Sequence, residues 1–334
     1  MKTPLVLDLG QTPEERIHDF SPQTFDDYIG QKELKEKLSI YTQAAKMRNE
    51  PLDHLLLFGP PGLGKTTLSR IMADIMNVGI KLCSGPMIER TGDLVGMLSS
   101  LQPRDIFFID EIHRMPANVE EVLYSAMEEY RIDVIIGQGA GAKSVSLPIH
   151  PFTLVGATTK SGTISAPLRS RFGIIERLDF YHSTELRDII LQSAQFLNLN
   201  INTDAALMIG QCSRGTPRIA KKIIRRIRDL AQVKNIALVD KNFVEQSLQF
   251  LGIDNDGLTA VDIMILQKLV CNFNGGPVGL DTLACLVGED ATTIELAYEP
   301  YLLRTGYLEK TSRGRQIPSQ MLPHLIRRFA ETNR

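Results

Sequence analysis

The sequence predicts a three-part chain: an α/β unit on a parallel sheet flanked by helices, an all-helical segment, and a winged-helix ending. Three observations carry this. Between residues 50 and 180, short apolar runs alternate with helical periodicity, as expected of strands buried on both faces with helices between them. From 183 to about 251 the period stays helical, with helices expected at 185–196, 203–212 and 217–233. Past a boundary at 251–256, helical stretches at 259–273, 280–287 and 292–303 precede two short strands about a turn at 312–315, the order of a helix-turn-helix with a wing. The expected divisions are a poorly ordered tail at 1–20, a large domain at 21–182, a small helical domain at 183–254 and a winged helix at 255–334.

Composition bounds the class. The 334 residues are 43% hydrophobic and 23% charged, ordinary for a globular chain of two or three domains. Mean hydropathy is -0.05, and no apolar run approaches the roughly 18 residues of a membrane span. The first residues lack a basic start followed by an apolar stretch, so no secretory signal is expected and the cytoplasm is the predicted compartment. Cys83, Cys212, Cys271 and Cys285 form no CxxC pair and read as small apolar core residues in a reducing compartment. A net charge of -2 gives no global field for nucleic acid, so any DNA contact must rest on local basic patches.

Strands are expected at 54–58, 81–84, 105–109, 152–157 and 174–178. The first leads through LLLFGPPGLGKTTLSRIMADIM into a helix marked by Leu68, Ile71, Met72, Ile75 and Met76. Gly59, Gly62 and Gly64 allow the chain to curl with amide hydrogens pointing inward, and the helix N-terminus adds favourable partial charge for phosphate. Lys65 can reach the β and γ phosphates of ATP, and the Thr66 hydroxyl can hold Mg²⁺. The third strand, IFFID, ends in Asp110 and Glu111 at the sheet edge where ligands of open α/β sheets bind. Asp110 is predicted to hold the metal through water, and Glu111 to polarise the attacking water. His113 reads equally as a packed histidine or a coupling group. In FTLVGATT, a threonine at the strand tip, Thr158 or Thr159, is placed to sense the γ-phosphate. In PLRSRF, Arg169 and Arg171 read either as solvated charge or as a finger reaching a neighbouring subunit's nucleotide. Pro217 opens a helix in RGTPRI, so Arg218 lies in a first turn, where a cation opposes the dipole and suggests an external anion.

In this order, the elements resemble those of the AAA+ P-loop ATPases. Within that class, the stretch from about 25 to 315 is similar to the RuvB family of Holliday-junction branch-migration motors. The stretches that carry this are DHLLLFGPPGLGKTTL, FFIDEIHRM, FTLVGATT, PLRSRFGI, RGTPRIA, GGPVGL, TIELAYEPYLL and TSRGR. The resemblance implies that Arg171 is the arginine finger and Arg218 the lid sensor, that Thr67 joins Thr66 at the phosphates, and that Glu129, Tyr130 and Tyr181 lie near the nucleotide. It further implies a homohexameric ring on duplex DNA, the partners RuvA and RuvC, and a place in recombination, repair and the SOS response. Two departures stand out. Ser21 precedes Pro22 where the family usually has arginine, so an adenine-side contact is lost or supplied elsewhere. Lys310 replaces the usual arginine, keeping the charge but not the fork geometry.

Residues 304–334 carry seven Lys/Arg against two acids. Next to the expected hairpin, this favours sequence-independent phosphate contacts by Lys310, Arg313 and Arg315. The helix at 217–233 has an inward stripe of Ile219, Ile223, Ile227 and Leu230, leaving Lys221, Lys222, Arg225, Arg226 and Arg228 as an exposed or interface face. Residues 132–147 read as a hairpin with a glycine-rich tip. The resemblance places Val145 and Leu147 against RuvA, while core packing explains them equally well. A tandem-core helicase would need a second α/β core, which 183–334 does not provide. A clamp-loader subunit would lack the winged helix, and a DNA-binding switch would need neither Glu111 nor Arg171.

Overall fold

Five apolar runs become one parallel sheet in the computed structural model, which describes residues 21–136 and 143–332; the expected tail at 1–20 and the hairpin tip lie outside these. The strands are β1 (Leu55–Phe58), β2 (Ile80–Ser84), β3 (Ile106–Asp110), β6 (Thr153–Thr158) and β7 (Ile174–Arg177), in the order β2-β3-β6-β1-β7. Burial on both faces explains the composition of the central strands, where Leu55, Leu56, Leu57, Phe107 and Phe108 are all buried, while the edge strands β2 and β7 are only partly covered. Helices α1 (Lys32–Arg48), α2 (Lys65–Met76), α3 (Thr91–Ser99), α4 (Ala117–Glu129), α5 (Ala166–Ser170) and α6 (Ser183–Phe196) accompany the sheet. Strands β4 (Arg131–Ile136) and β5 (Lys143–Pro148) pair separately as an antiparallel hairpin.

Register decides what meets at each end of the sheet. Phe58 pairs with Thr158 and Ser84 with Asp110, so the phosphate loop, the acids and the strand-tip threonines share the carboxyl edge. At the amino edge, Leu55 pairs with Ile174 and Ile106 with Thr153.

The chain divides into two compact units. One runs to Leu199 and includes Gly215–Ile224; the other comprises Asn200–Arg214 and Arg225–Arg334. Helix α8 (Pro217–Val233) contributes to both, and its inward positions include Ala220, Ile223, Ile224 and Ile227. The second unit holds α7 (Thr203–Cys212), α9 (Lys241–Phe250), α10 (Ala260–Phe273) and α11 (Leu280–Val287). It continues through α12 (Ala291–Thr293), a π turn at Ile294–Tyr298, α13 (Glu299–Arg304), the hairpin β8 (Glu309–Thr311) and β9 (Gly314–Gln316), and α14 (Leu322–Thr332). Its winged-helix core gathers Leu258, Ile265, Leu269, Leu283, Leu302, Leu308, Leu325 and Phe329.

Two findings add to the expected elements and one departs from expectation. The terminal basic stretch is partly a helix, α14, which inserts Leu325 and Phe329 at i, i+4 spacing into that core. Helix α9 is a separate element, with Phe243, Val244, Ser247 and Leu248 on its buried side. Of the four cysteines, Cys83 and Cys212 are buried, but Cys271 and Cys285 sit on exposed positions of α10 and α11.

Candidate active site

The loop between β1 and α2 is shaped by what crowds it. Gly64, at φ 101, has no room for a Cβ, which would lie 2.6 Å from the Tyr28 Oη. At Gly59 a Cβ would lie 2.5 Å from the Leu178 carbonyl oxygen, and the Gly59 N–H donates to Thr158 O at 3.1 Å, tying the loop to the neighbouring strand tip. The Tyr28 hydroxyl donates to Leu63 O at 3.0 Å, and the Tyr181 hydroxyl lies 2.8 Å from that of Tyr28 and 3.2 Å from the same carbonyl. Two buried tyrosines therefore clamp the loop backbone, and burial pushes both phenols' pKa upward. Tyr181 meets the phosphate loop in this way. Tyr28 is missing from the residues singled out by sequence, because its link to Tyr181 spans more than half of this unit and leaves no local signal.

Lys65 opens α2, and its side chain is buried. The ammonium donates to Gly59 O at 2.8 Å and Pro60 O at 3.0 Å. Desolvation pushes its pKa downward, and the nearby Asp110 and Glu111 oppose that shift. Thr66 and Thr67 follow on the first turn of α2, which carries no acidic residue, leaving its positive end open to anions. Arg218 approaches from α8: its N–H donates to Gly62 O at 3.3 Å, and a Cβ on Gly62 would touch its side chain at 2.9 Å.

Asp110 lies at the tip of β3, where burial, chiefly, pushes its carboxyl pKa upward; the Glu111 N–H that donates to it at 3.0 Å, Lys65 and Arg218 counter the rise, and the Glu111 charge adds to it. Glu111 adopts a left-handed backbone at φ 47. Its carboxylate accepts from the Thr159 hydroxyl at 3.1 and 3.2 Å and from the Thr159 N–H at 3.3 Å. Thr158 is buried, with its hydroxyl 2.9 Å from His113 Nδ1. The two threonines thus have different partners, and Thr159 is the one that touches Glu111.

Arg171, Glu129 and Tyr130 are not gathered at this edge. Arg171 closes α5 just before β7, so it lies toward the amino end of the sheet, with Ile174 N–H donating to His54 O at 3.1 Å. Its guanidinium sits 4.3 Å from the Tyr124 ring centre and 3.2 Å from Glu128. Tyr130 ends α4 beside Phe152, at 6.2 Å between rings, and Glu129 pairs with Arg131 at 2.8 Å. Within one chain Glu129 and Tyr130 lie away from Gly59–Gly64, because a helix that follows a parallel strand returns to the strands' starting edge.

On the winged helix, Lys310 and Arg313 are exposed, Lys310 lying 3.4 Å from Glu295. Arg315 is not on that surface. Its guanidinium forms a two-pronged pair with buried Glu299, at 2.6 and 3.2 Å, beneath a β-bridge to Val278. The fork expected to meet DNA phosphate is here held by the Glu299 carboxylate. Arg328 likewise binds Asp254 and Asp256. Val145 and Leu147 are exposed on β5.

The geometry is that of a P-loop ATPase, and comparison with known proteins names the branch. Residues 20–178 match the family model described as the Holliday junction DNA helicase RuvB P-loop domain, 181–254 the RuvB AAA lid domain, and 255–326 the RuvB C-terminal winged helix domain. The chain belongs to the RuvB family. It is 51% identical over 313 residues to the Holliday junction branch migration complex subunit RuvB of Levilactobacillus brevis, covering 93% of each chain. It is 49% identical over 317 residues to that of Pediococcus pentosaceus, covering 94% of each. Among solved structures, the Thermotoga maritima RuvB Holliday junction branch migration motor superposes with a TM-score of 0.81 at 46% identity, over 92% of this chain and 98% of the other. This RuvB-family chain is thus an ATPase of Holliday-junction branch migration, acting on DNA in recombination and repair. The clamp-loader and switch alternatives fall with that assignment.

Proposed function

We propose that this RuvB-family ATPase works as a homohexameric ring on duplex DNA, in which each ATP site is completed by a neighbouring copy. The observation that carries this is the separation of Lys65, Asp110 and Glu111 from Arg171 to opposite edges of one sheet. Arg171 cannot serve the site of its own chain there, but a copy stacked edge to edge could bring it, with Glu129 and Tyr130, to the next nucleotide. In this reading Gly59, Gly62, Gly64 and the first turn of α2 cradle the phosphates, and Lys65 exchanges its loop carbonyls for phosphate oxygens. Glu111 orients the attacking water, Thr159 holds Glu111, and Arg218 and Tyr181 shape the nucleotide end of the site.

Mg²⁺ fits the donors present. Among the described residues no group of three or more His, Cys, Asp or Glu converges as a metal cage. The Thr66 hydroxyl and the Asp110 carboxylate suit an ion that takes one or two protein oxygens and completes its shell with phosphate and water. When bound, the ion would neutralise charge on the β and γ oxygens.

The reading extends to partners. Lys310 and Arg313 track DNA phosphates without reading sequence, Val145 and Leu147 dock RuvA, and RuvC follows on the same junction. The divisions 21–182, 183–254 and 255–334 act as motor, lid and DNA-binding domains in the cytoplasm. No helix among the described residues is long and apolar enough to cross a membrane. The test is ATP-driven movement of a synthetic four-way junction with this protein alone, with RuvA added, and with neither. Movement that needs both proteins supports the reading, and movement indifferent to RuvA removes the partner from it.

A further inference from the structure

Glu111 is held by more than Thr159. The short 3₁₀ turn Ile112–Arg114 lies against β6 because Gly156 leaves space there: a Cβ on Gly156 would meet Ile112 and Phe172 at 3.0 Å. On the other side, a Cβ on Gly85 would lie 2.5 Å from the Glu111 carbonyl oxygen. The turn is thus seated between two glycines, and it sets His113 next to the strand tip. The imidazole is largely buried, with Nδ1 3.2 Å from Glu111 Oε2 and 2.9 Å from Thr158 Oγ1. Thr158 Oγ1 also accepts from the Lys160 N–H at 3.0 Å.

Hydrogen-bond chemistry assigns the proton. A carboxylate only accepts, so an imidazole nitrogen facing Glu111 is favourable only when it carries hydrogen. The required species is the Nδ1–H tautomer, shared between Glu111 and Thr158. Burial, the largest cause, lowers the His113 pKa; Lys160 and Arg114 push the same way and Glu111 opposes, which keeps the ring neutral near pH 7.

We propose that His113 is a positioning residue for hydrolysis: its Nδ1–H, anchored on Thr158, fixes the Glu111 carboxylate together with Thr159, so that the water-orienting group has one geometry. This rests on the reading of Glu111 as the group that orients the attacking water. It makes Thr158, His113, Glu111 and Thr159 one hydrogen-bonded chain joining the tips of β3 and β6. The effect is on kcat and not on nucleotide affinity, because none of these side-chain hydrogen bonds involves the phosphate loop.

The test uses the full chain with DNA and three substitutions. An asparagine amide nitrogen can occupy the place of Nδ1, whereas glutamine reaches toward the Nε2 position and alanine offers no donor. His113→Ala and His113→Gln should lower kcat about 10- to 100-fold, the usual consequence of losing alignment by a fraction of an ångström to an ångström, with KM for ATP unchanged. His113→Asn should restore most of the rate. Wild-type kcat in His113→Ala overturns the proposal. So does His113→Asn as slow as His113→Ala, or a loss carried by KM, since each assigns His113 to packing alone. Glu111→Gln run in parallel separates the two readings. If it turns over ATP like wild type, the Glu111 role fails; if it is inert while His113→Ala is fast, only the positioning role fails.

Discussion

Replacing Arg315 with alanine should unfold the winged-helix unit before it affects DNA. The guanidinium is bound through two nitrogens to Glu299, whose side chain is 3% exposed against 11% for Arg315. Removing the cation strands a carboxylate that water cannot reach. Breaking such a pair costs about 3–5 kcal/mol. That is a large part of the roughly 5–15 kcal/mol that holds a domain folded. At about 4 °C per kcal/mol, the melting transition of this unit should fall by about 12 °C or more. Differential scanning calorimetry on the intact chain reads this directly. A paired substitution, Arg315→Met with Glu299→Leu, removes both charges and should recover most of the loss, since apolar replacements of buried pairs are often neutral. With that double variant folded, the salt dependence of duplex binding should match wild type. Lys310→Ala and Arg313→Ala, by contrast, should each reduce the slope by about one. An Arg315→Ala protein that melts like wild type while losing a unit of slope refutes the buried-pair account and restores Arg315 to the DNA surface.

Other consequences follow from the same geometry. Mixing Arg171→Ala subunits with wild type should depress ATP hydrolysis out of proportion to the fraction added, because each spoils a neighbour's site; loss in simple proportion argues for action within one chain. The buried His54 accepts from the Leu154 N–H at 2.9 Å through Nδ1, so its other nitrogen, 3.0 Å from Met127 O, carries the hydrogen. Burial lowers its pKa from 6.5, so the unfolded chain binds the proton more readily. Stability should hold above pH 6.5 and fall as pH drops below it. Thermal melts at pH 7.5 and 5.5, values about one unit either side of that midpoint, should differ less in His54→Gln; an equal difference assigns the pH dependence to other groups. Tyr181→Phe should leave the fold intact and weaken ATP binding by loosening Leu63, and unchanged affinity in an equilibrium titration counts against the tyrosine clamp.

Much of this was legible in the sequence because the information was local. The five sheet strands announce themselves as apolar runs, and the phosphate loop is a contiguous segment whose glycines, lysine and threonines act where they stand. Features that depend on direction or distant pairing were not. Arg315 looks like Lys310 and Arg313 in a basic hairpin; only Glu299, brought beneath it by the π turn and α13, distinguishes it. Glu129 and Tyr130 close a helix that starts near the acids, but that helix runs back to the other edge. The signals for α9 and α14 were present as i, i+4 apolar pairs, and in α14 the surrounding arginines masked them. Thr158 and Thr159 could not be separated by sequence, since adjacent residues at a strand tip diverge only once their partners, His113 and Glu111, are in place.

The central claim is that the peptide curl at Gly59–Gly64, Lys65 and the acid pair form the hydrolytic centre. Single-turnover retention of γ-labelled ATP on filters tests it most directly, comparing wild type with Lys65→Ala and Glu111→Gln. Wild type should release labelled phosphate, Lys65→Ala should fail to retain nucleotide, and Glu111→Gln should hold ATP uncleaved. Phosphate release at the wild-type rate from both variants would place the chemistry elsewhere in the chain.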